Sequence, residues 1–157
     1  MSVTIDLDNA CPEHWTPDIN QLRQWLAPVF DLTAVDHNIT LSVCFVGESD
    51  GAELNRRYRG KQMATNVLSF PANIPSPLVE EMAQTPLGDI VICPPVLERE
   101  AAEQGKEAAA HWAHLTQHGL LHLLGYSHDN DQDTAIMENL EISALRKLGI
   151  ANPYLIG

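Results

Sequence analysis

Three histidines at fixed spacing, within a helix-forming stretch, constrain this chain more than any other feature of its sequence. Residues 110–129 read AHWAHLTQHGLLHLLGYSHD and hold five of the seven histidines. On a helix, His118 and His122 would project from the same face, one turn apart. Gly125 can adopt the left-handed backbone that ends a helix, and His128 then approaches from the following turn. The spacing H-x3-H-x5-H therefore predicts a three-histidine metal site with a fourth position left for water.

The same spacing occurs in the metzincin zinc proteases, whose motif is HExxHxxGxxH. In that motif a glutamate follows the first histidine and serves as the general base of peptide hydrolysis. Here the corresponding position is Gly119. The spacing therefore permits a zinc metalloprotease-like hydrolase, whereas the missing glutamate argues against one.

A more specific resemblance is carried by residues 118–128, HGLLHLLGYSH. They are similar to the signature HGxLHLxGYDH of the YbeY family of bacterial rRNA-maturation endoribonucleases. Ser127 departs from that signature because the family has aspartate there, and a carboxylate beside a ligand could orient the site. The resemblance implies that His118, His122 and His128 bind zinc, one ion per chain, and that His118 is also catalytic.

Two further segments resemble the same family. Residues 58–71, YRGKQMATNVLSFP, are similar to its block YRxKxxxT(D/N)VLSFP, and residues 87–93 contain its GDI block. The first match implies that Arg59 is catalytic and that Arg59 and Lys61 bind substrate. A guanidinium suits that role because it can clamp a phosphate and stabilise developing charge. Asp89 of the GDI block could orient a ligand histidine or face solvent, and the sequence leaves both open.

The charge distribution limits how this chain could contact nucleic acid. Its formal net charge is −12, which argues against a general nucleic-acid coat because phosphate binding requires Lys and Arg. Four of its nine basic residues nevertheless lie within six positions: Arg56, Arg57, Arg59 and Lys61. This cluster indicates either local polyanion binding or a solvated helix end. The alternative role for Arg59 is an ion pair with a carboxylate such as Glu53.

Strand and helix signals are interleaved along the chain. Thr16 and Pro17 have the residue types of an N-cap and first helical position, and the proline-containing residues 72–86 predict a loop. Strands are predicted over residues 3–7, 39–46, 67–70 and 87–93, and helices over 17–29, 49–58, 94–104, 108–124 and 136–148. With the family resemblance, this order implies an α+β fold, a single domain over residues 1–157. Its mixed four-stranded sheet is packed with about five helices, and the metal site lies on a central helix and the turn after it.

The composition indicates the cellular compartment in which the protein works. No stretch approaches the ~18 apolar residues of a membrane span, and the first 15 residues lack the basic and apolar segments of a signal peptide. The three cysteines are scattered without C-x-x-C spacing, so we expect reduced, mostly buried thiols. These features predict a cytoplasmic protein with no membrane partner.

Together with the resemblance, the sequence implies a single-strand-specific, zinc-dependent endoribonuclease. The family acts in late-stage ribosome quality control and in maturation of the 3′ end of small-subunit (16S) rRNA. The expected partners are single-stranded RNA, an rRNA precursor and the ribosome or its small subunit, with no DNA partner. Besides the metalloprotease, the alternative is a non-catalytic ribosome-associated protein with structural zinc. Against it, structural zinc sites usually have four protein ligands that include cysteine.

Overall fold

The computed structural model describes residues 1–59 and 65–155, and its elements follow the predicted order. The strands are β1 (Val3–Asn9), β2 (Ile39–Phe45), β3 (Val67–Pro71) and β4 (Thr85–Ile92). The helices are α1 (Ile19–Leu32), α2 (Glu48–Arg59), α3 (Ser76–Val79), α4 (Pro94–Glu103), α5 (Ala108–Leu123) and α6 (Asp131–Lys147). The predicted α+β class is confirmed. The described residues form six helices instead of about five, because the single-turn α3 lies in the segment predicted as a loop.

The four strands form one mixed sheet, as predicted, and their order is β1-β2-β4-β3. β1 runs parallel to β2, from Val3 opposite Ile39 to Asn9 opposite Phe45, and β2 runs parallel to β4. β3 pairs antiparallel with β4 at the edge of the sheet. This edge strand is the one that borders the histidine-bearing helix and its cleft.

Helix α5 is the centre of the molecule, in contact with β3, β4, α1, α4 and α6. It is apolar on most sides, as expected of a helix enclosed by the rest of a core. Two of its buried polar side chains donate to backbone carbonyls: Thr116 to that of Trp112 at 2.8 Å, and Gln117 to that of Trp25 on α1 at 2.9 Å. The Trp112 ring packs edge-on against Phe45 at a centroid distance of 5.3 Å.

Close packing at the junction of β3, β4 and α5 depends on Gly88. Its φ is +142°, and a Cβ there would lie 2.3 Å from the Phe70 carbonyl oxygen and 2.9 Å from Leu123 Cδ2. Any side chain would therefore meet backbone that cannot move aside. Glycine at this point lets the central helix lie directly on the edge of the sheet.

The other face of the sheet carries a smaller apolar cluster. Val46, Leu68 and Val91 are buried there, with Leu54 of α2 packed against them. This contact fixes α2 on the opposite face of the sheet from α1 and α5. The cysteines are free, with Cys11 and Cys93 buried and Cys44 half-buried, as the sequence predicted.

The predicted start of the first helix was wrong. α1 begins at Ile19, where Asp18 is the N-cap and accepts a hydrogen bond from the Gln21 amide at 2.8 Å. Thr16 instead accepts a hydrogen bond from the Asn9 side chain at 3.2 Å. Two capping residues compete in this stretch, and the aspartate cap prevails while the threonine holds the end of β1.

Across the described part of the chain, no helix combines the length and apolar character needed to cross a bilayer.

Candidate metal centre

The structure brings the three predicted histidines together. His118 and His122 lie one turn apart on α5, and their Nε2 atoms are 3.0 Å from each other. His128 follows the helix, and the ligand-capable atoms of all three lie within 4.8 Å of one another. His118 and His122 are half-buried and His128 is exposed. The three imidazoles thus surround one point that opens to solvent on one side.

The turn between the second and third histidines has the predicted left-handed glycine. Gly125 has φ +101°. Its amide donates to the His122 carbonyl at 3.1 Å, and the Tyr126 amide donates to the Leu121 carbonyl at 3.0 Å. This pair of bonds is the Schellman helix ending. It reverses the chain so that the His128 ring stacks on His118, with centroids 4.9 Å apart.

The second ring nitrogens define the tautomers of the helix histidines. His122 Nδ1 lies 3.1 Å from the Tyr126 carbonyl oxygen, which can only accept, so Nδ1 carries the proton. His118 Nδ1 lies 2.5 Å from Glu141 Oε1, and a carboxylate likewise accepts. Both Nε2 atoms therefore present lone pairs to each other. Such an arrangement is repulsive without a cation between the rings, and it fits a metal held by neutral imidazoles.

The environment of His122 keeps it neutral. Burial lowers its pKa below the ordinary value, and the neighbouring His118 and His128 lower it further, although the Tyr126 carbonyl opposes this. Because metal binding requires the unprotonated nitrogen, a lowered pKa reduces competition from protons at neutral pH. His122 is therefore prepared to bind a metal without first releasing a proton.

Glu141, on α6, is a buried carboxylate at the back of the site. Its exposed fraction is 0%. Burial raises its pKa, but hydrogen bonds from His114 and His118 outweigh that effect and lower the pKa to about 2. An ionised carboxylate in the interior is costly unless positive charge compensates it. A cation at His118 Nε2 would add to that compensation, which is a second reason why these residues fit a metal.

Sequence reasoning missed Glu141. The candidate for orienting a ligand histidine was Asp89, but that side chain is exposed, so the solvent-facing alternative is the one observed. A signal for Glu141 existed, since it lies on the same helical face as the buried Met137, Ala144 and Leu145. A glutamate within an apolar helical stripe indicates a buried carboxylate with a partner elsewhere.

Ser127, the departure from the family signature, contacts the next helix. Its hydroxyl donates to Asp133 Oδ2 at 3.3 Å. The Asn130 side chain donates to the same Asp133 oxygen at 2.9 Å. Ser127 therefore ties the turn that carries His128 to the first turn of α6.

A cleft of about 670 Å³ opens beside the histidines. Its walls include strand β3, the histidine turn and Tyr58 from the end of α2. The Tyr58 side chain is 63% exposed, and its ring meets Phe70 edge-on at 4.9 Å. The cleft thus combines a cluster of imidazoles with an exposed aromatic surface.

Two predicted functional cations fall at the boundary of the described residues. Arg59 is the last residue of α2, but its side chain lies outside the described part of the chain, as does the whole of Lys61. Their catalytic and substrate-binding roles stay predictions. On the same helix, Glu53 pairs with Arg56 at 2.6 Å and with Arg57 at 3.3 Å. The alternative for Arg59, an ion pair with a carboxylate such as Glu53, lies outside the described residues.

The glycine that replaces the protease glutamate faces the sheet. A Cβ on Gly119 would lie 2.9 Å from Ile90 Cγ2 and 3.3 Å from Ser69 Oγ. The Ser69 hydroxyl also donates to the Gly119 carbonyl at 3.0 Å, holding α5 against β3. Any side chain at position 119 would therefore crowd β3 and β4, and Ile90 would have to shift to admit it. The metalloprotease interpretation lacks its general base, because glycine has no side chain that could serve as one.

Three histidines around one point, beside an open cleft in an α+β scaffold, are the features of a metal-dependent hydrolase. A family model described as Endoribonuclease YbeY matches residues 10–149. A protein of that name from Xanthomonas oryzae pv. oryzae (strain MAFF 311018) is 50% identical, covering 92% of this chain and 89% of its own. Another, from Xylella fastidiosa (strain 9a5c), is 45% identical, covering 98% and 94%. This chain belongs to the YbeY endoribonuclease family.

A solved structure also resembles the fold. The solution structure of TM1509 from Thermotoga maritima matches with a TM-score of 0.54, covering 98% of this chain and 100% of that one. The two sequences are 20% identical. At that identity the likeness concerns the architecture, and it agrees with the α+β fold described above.

Proposed function

We propose that this chain is a zinc-dependent endoribonuclease that cuts single-stranded RNA, with zinc held by His118, His122 and His128. The observation that carries the proposal is the pair of Nε2 atoms 3.0 Å apart, with a third imidazole beside them. Endoribonuclease is the activity in the names of its relatives. We further propose that it works in the cytoplasm on rRNA precursors, maturing the 3′ end of 16S rRNA in association with the small ribosomal subunit.

Different residues of the site would have different roles in RNA cleavage. A zinc ion bound by the histidines would supply Lewis-acid polarisation of the phosphodiester and of a water molecule. Glu141 and the Tyr126 carbonyl hold two of the imidazoles in their ligand tautomers. Arg59, at the end of the helix that borders the cleft, would bind the scissile phosphate and stabilise charge that develops on its oxygens.

The cleft suits an unpaired RNA strand. Single-stranded RNA is commonly recognised by stacking its bases on aromatic side chains, and Tyr58 offers an exposed ring in the cleft. Arg59 and Lys61, next along the chain, would bind adjacent phosphates. A local concentration of positive charge in this segment lets an acidic protein bind RNA at one place and repel it elsewhere.

The test combines metal analysis with RNA cleavage. We expect about one zinc per chain by elemental analysis, and loss of both metal and cleavage in His118→Ala, His122→Ala and His128→Ala. The matched control is His37→Ala, because His37 is exposed and contacts only Asp36 in the hydrogen bonds described. Cleavage of a single-stranded RNA but not of the same sequence in a duplex supports the substrate assignment. Unchanged metal content in all three variants would refute the site.

A further inference from the structure

The C-terminal segment reaches the back of the metal centre through Tyr154. Its hydroxyl donates a hydrogen bond to Glu141 Oε2. Its ring meets the His114 ring edge-on, with centroids 5.5 Å apart, and His114 Nε2 lies 3.3 Å from the hydroxyl. A residue near the end of the chain therefore contacts the carboxylate that orients a candidate metal ligand.

Both carboxylate oxygens of Glu141 have polar partners. Oε1 lies 2.5 Å from His118 Nδ1, while Oε2 accepts from Tyr154 and lies 3.5 Å from His114 Nε2. A glutamate on a helix has three rotatable side-chain bonds, and a partner at only one oxygen would leave rotation of the carboxylate poorly constrained. The Tyr154 contact fixes the carboxylate at the oxygen that His118 does not contact.

Tyr154 is itself held in a donor state and a defined position. Its backbone amide donates to Asn152 Oδ1 at 2.8 Å, which forms a local turn in the C-terminal segment. Burial raises the pKa of the Tyr154 phenol, and the adjacent Glu141 raises it further. The phenol therefore keeps its proton at all physiological pH values and can only donate to the carboxylate.

We propose that Tyr154 is a positioning residue for the metal ligand His118, acting through Glu141. By fixing the carboxylate, Tyr154 keeps His118 in the Nδ1-protonated tautomer whose Nε2 faces the metal. The C-terminal segment thereby contributes to metal affinity although it supplies no ligand. This inference rests on the proposed metal site.

The expected loss of metal affinity is larger for a residue that contacts the ligand histidine than for one that acts through another residue. Partners that hydrogen-bond a ligand histidine typically contribute ~10–100-fold to metal affinity, so Glu141→Gln should weaken binding by that order. Tyr154 acts one hydrogen bond further away. Loss of that bond should weaken metal binding by ~2–10-fold, the factor that corresponds to a typical net hydrogen bond.

The informative variant is Tyr154→Phe, which removes the hydroxyl and retains the ring that packs on His114. Zinc affinity is measured by competition with a chromophoric chelator, and the cobalt-loaded protein gives a visible absorption spectrum that reports ligand geometry. Leu155→Ala is the control, because Leu155 is adjacent in the same segment and 74% exposed. The thermal midpoint of each metal-stripped protein measures any general effect on folding.

We expect the affinity loss to fall in the order Glu141→Gln, then Tyr154→Phe, with Leu155→Ala equal to the parent. The cobalt spectrum should change in the first two variants only. The inference is wrong if Tyr154→Phe has parental affinity and spectrum, or if it lowers only the thermal midpoint of the stripped protein. In either case a parent that binds zinc leaves the proposed function intact. A parent that binds no zinc would overturn the metal site and this inference together.

Discussion

At the scale of single residues, the two nitrogens of each helix histidine have separate tasks. His122 uses Nδ1 to bond the Tyr126 carbonyl, and His118 uses Nδ1 to bond Glu141. Each bond places the ring proton away from the cleft, and so it directs the lone pair of Nε2 toward the other histidine. The metal-binding capacity of the site is therefore determined as much by the hydrogen-bond acceptors behind the rings as by the rings themselves.

The role of Arg59 can be tested by one substitution. Arg59→Ala should lower the rate of RNA cleavage on the order of 10²-fold, the usual loss when a donor to developing negative charge is removed. Zinc content and thermal midpoint should stay at parental values, since the metal is assigned to the three histidines and the proposed role of Arg59 is phosphate binding. Rates are compared on one single-stranded RNA at saturating concentration.

Arg56→Ala is the matched control for that experiment. Arg56 lies on the same helix and pairs with Glu53 in an exposed position, where an ion pair contributes little to stability. Its removal should leave the cleavage rate near that of the parent. Equal losses in the two variants would mean that Arg59 acts only through general charge attraction.

Ser127 gives a prediction that the sequence alone did not. Aspartate at position 127, the family residue, would place a carboxylate near Asp133 Oδ2, which now accepts from the Ser127 hydroxyl at 3.3 Å. We expect Ser127→Asp to destabilise the protein by about 0.5–1 kcal/mol through like-charge repulsion. The double variant Ser127→Asp/Asp133→Asn should recover the loss in thermal unfolding. A single variant as stable as the parent would show that Asp133 moves aside freely.

At the scale of elements, the local part of the metal site could be predicted and its distant part could not. The histidine spacing and Gly125 determine a helix and its ending within one short stretch, so the sequence contains that geometry. Glu141 and Tyr154 reach His118 from α6 and the C-terminal segment. Their contribution depends on how α6 packs against α5, which no local periodicity encodes. The same limit applies to Asp89, whose strand was predicted correctly but whose side chain faces solvent.

The close packing of α5 on the sheet can be tested by a substitution at Gly119. Gly119→Ala would place a methyl group 2.9 Å from Ile90 Cγ2, and overpacking of this kind costs about 1–3 kcal/mol. The helix propensity of alanine returns up to ~1 kcal/mol, so we expect a net loss of about 1 kcal/mol in denaturant unfolding. Gly47→Ala is the control, because nothing lies within 4 Å of its added methyl. A stabilised Gly119→Ala variant would contradict the close approach of α5 to β4.

At the scale of the whole molecule, the polar contacts of His111 join three elements. His111 Nε2 lies 3.2 Å from Glu100 Oε1 on α4, and the same oxygen accepts from Asn66 at 2.9 Å, just before β3. Burial lowers the pKa of His111, although the bond to Glu100 partly opposes it. The folded protein therefore favours the neutral imidazole more than the unfolded chain does.

This lowered pKa determines the sign of a pH effect on stability. The unfolded chain takes up a proton near pH ~6.5, before the folded protein does. The contribution of neutral His111 to the free energy of unfolding is therefore complete above that pH. It is lost as the pH falls through the pKa of His111 in the folded protein, which is the lower of the two. We expect the thermal midpoint of metal-stripped protein to decline below pH ~6.5, and less steeply in His111→Gln. Parallel declines in the two proteins would exclude His111 as a source.

The overall fold was the most predictable part of the molecule. The order and type of the elements follow from alternating and helical apolar spacing, and the family resemblance implied the mixed sheet. The errors lie where two local signals compete, as at the start of α1, or where a single exposed helical turn such as α3 forms within a proline-containing segment. The remaining part of the site, the side chains of Arg59 and Lys61, stays a prediction from the family motif.

The central claim is that this metal centre cuts RNA and does not cut peptide bonds. One zinc-replete preparation is incubated with single-stranded RNA and, separately, with casein, beside chelator-treated protein and the His122→Ala variant. We expect cleavage of the RNA by the zinc-replete parent alone and intact casein throughout, because Gly119 supplies no general base. Metal-dependent degradation of casein with intact RNA would contradict the account and favour the protease.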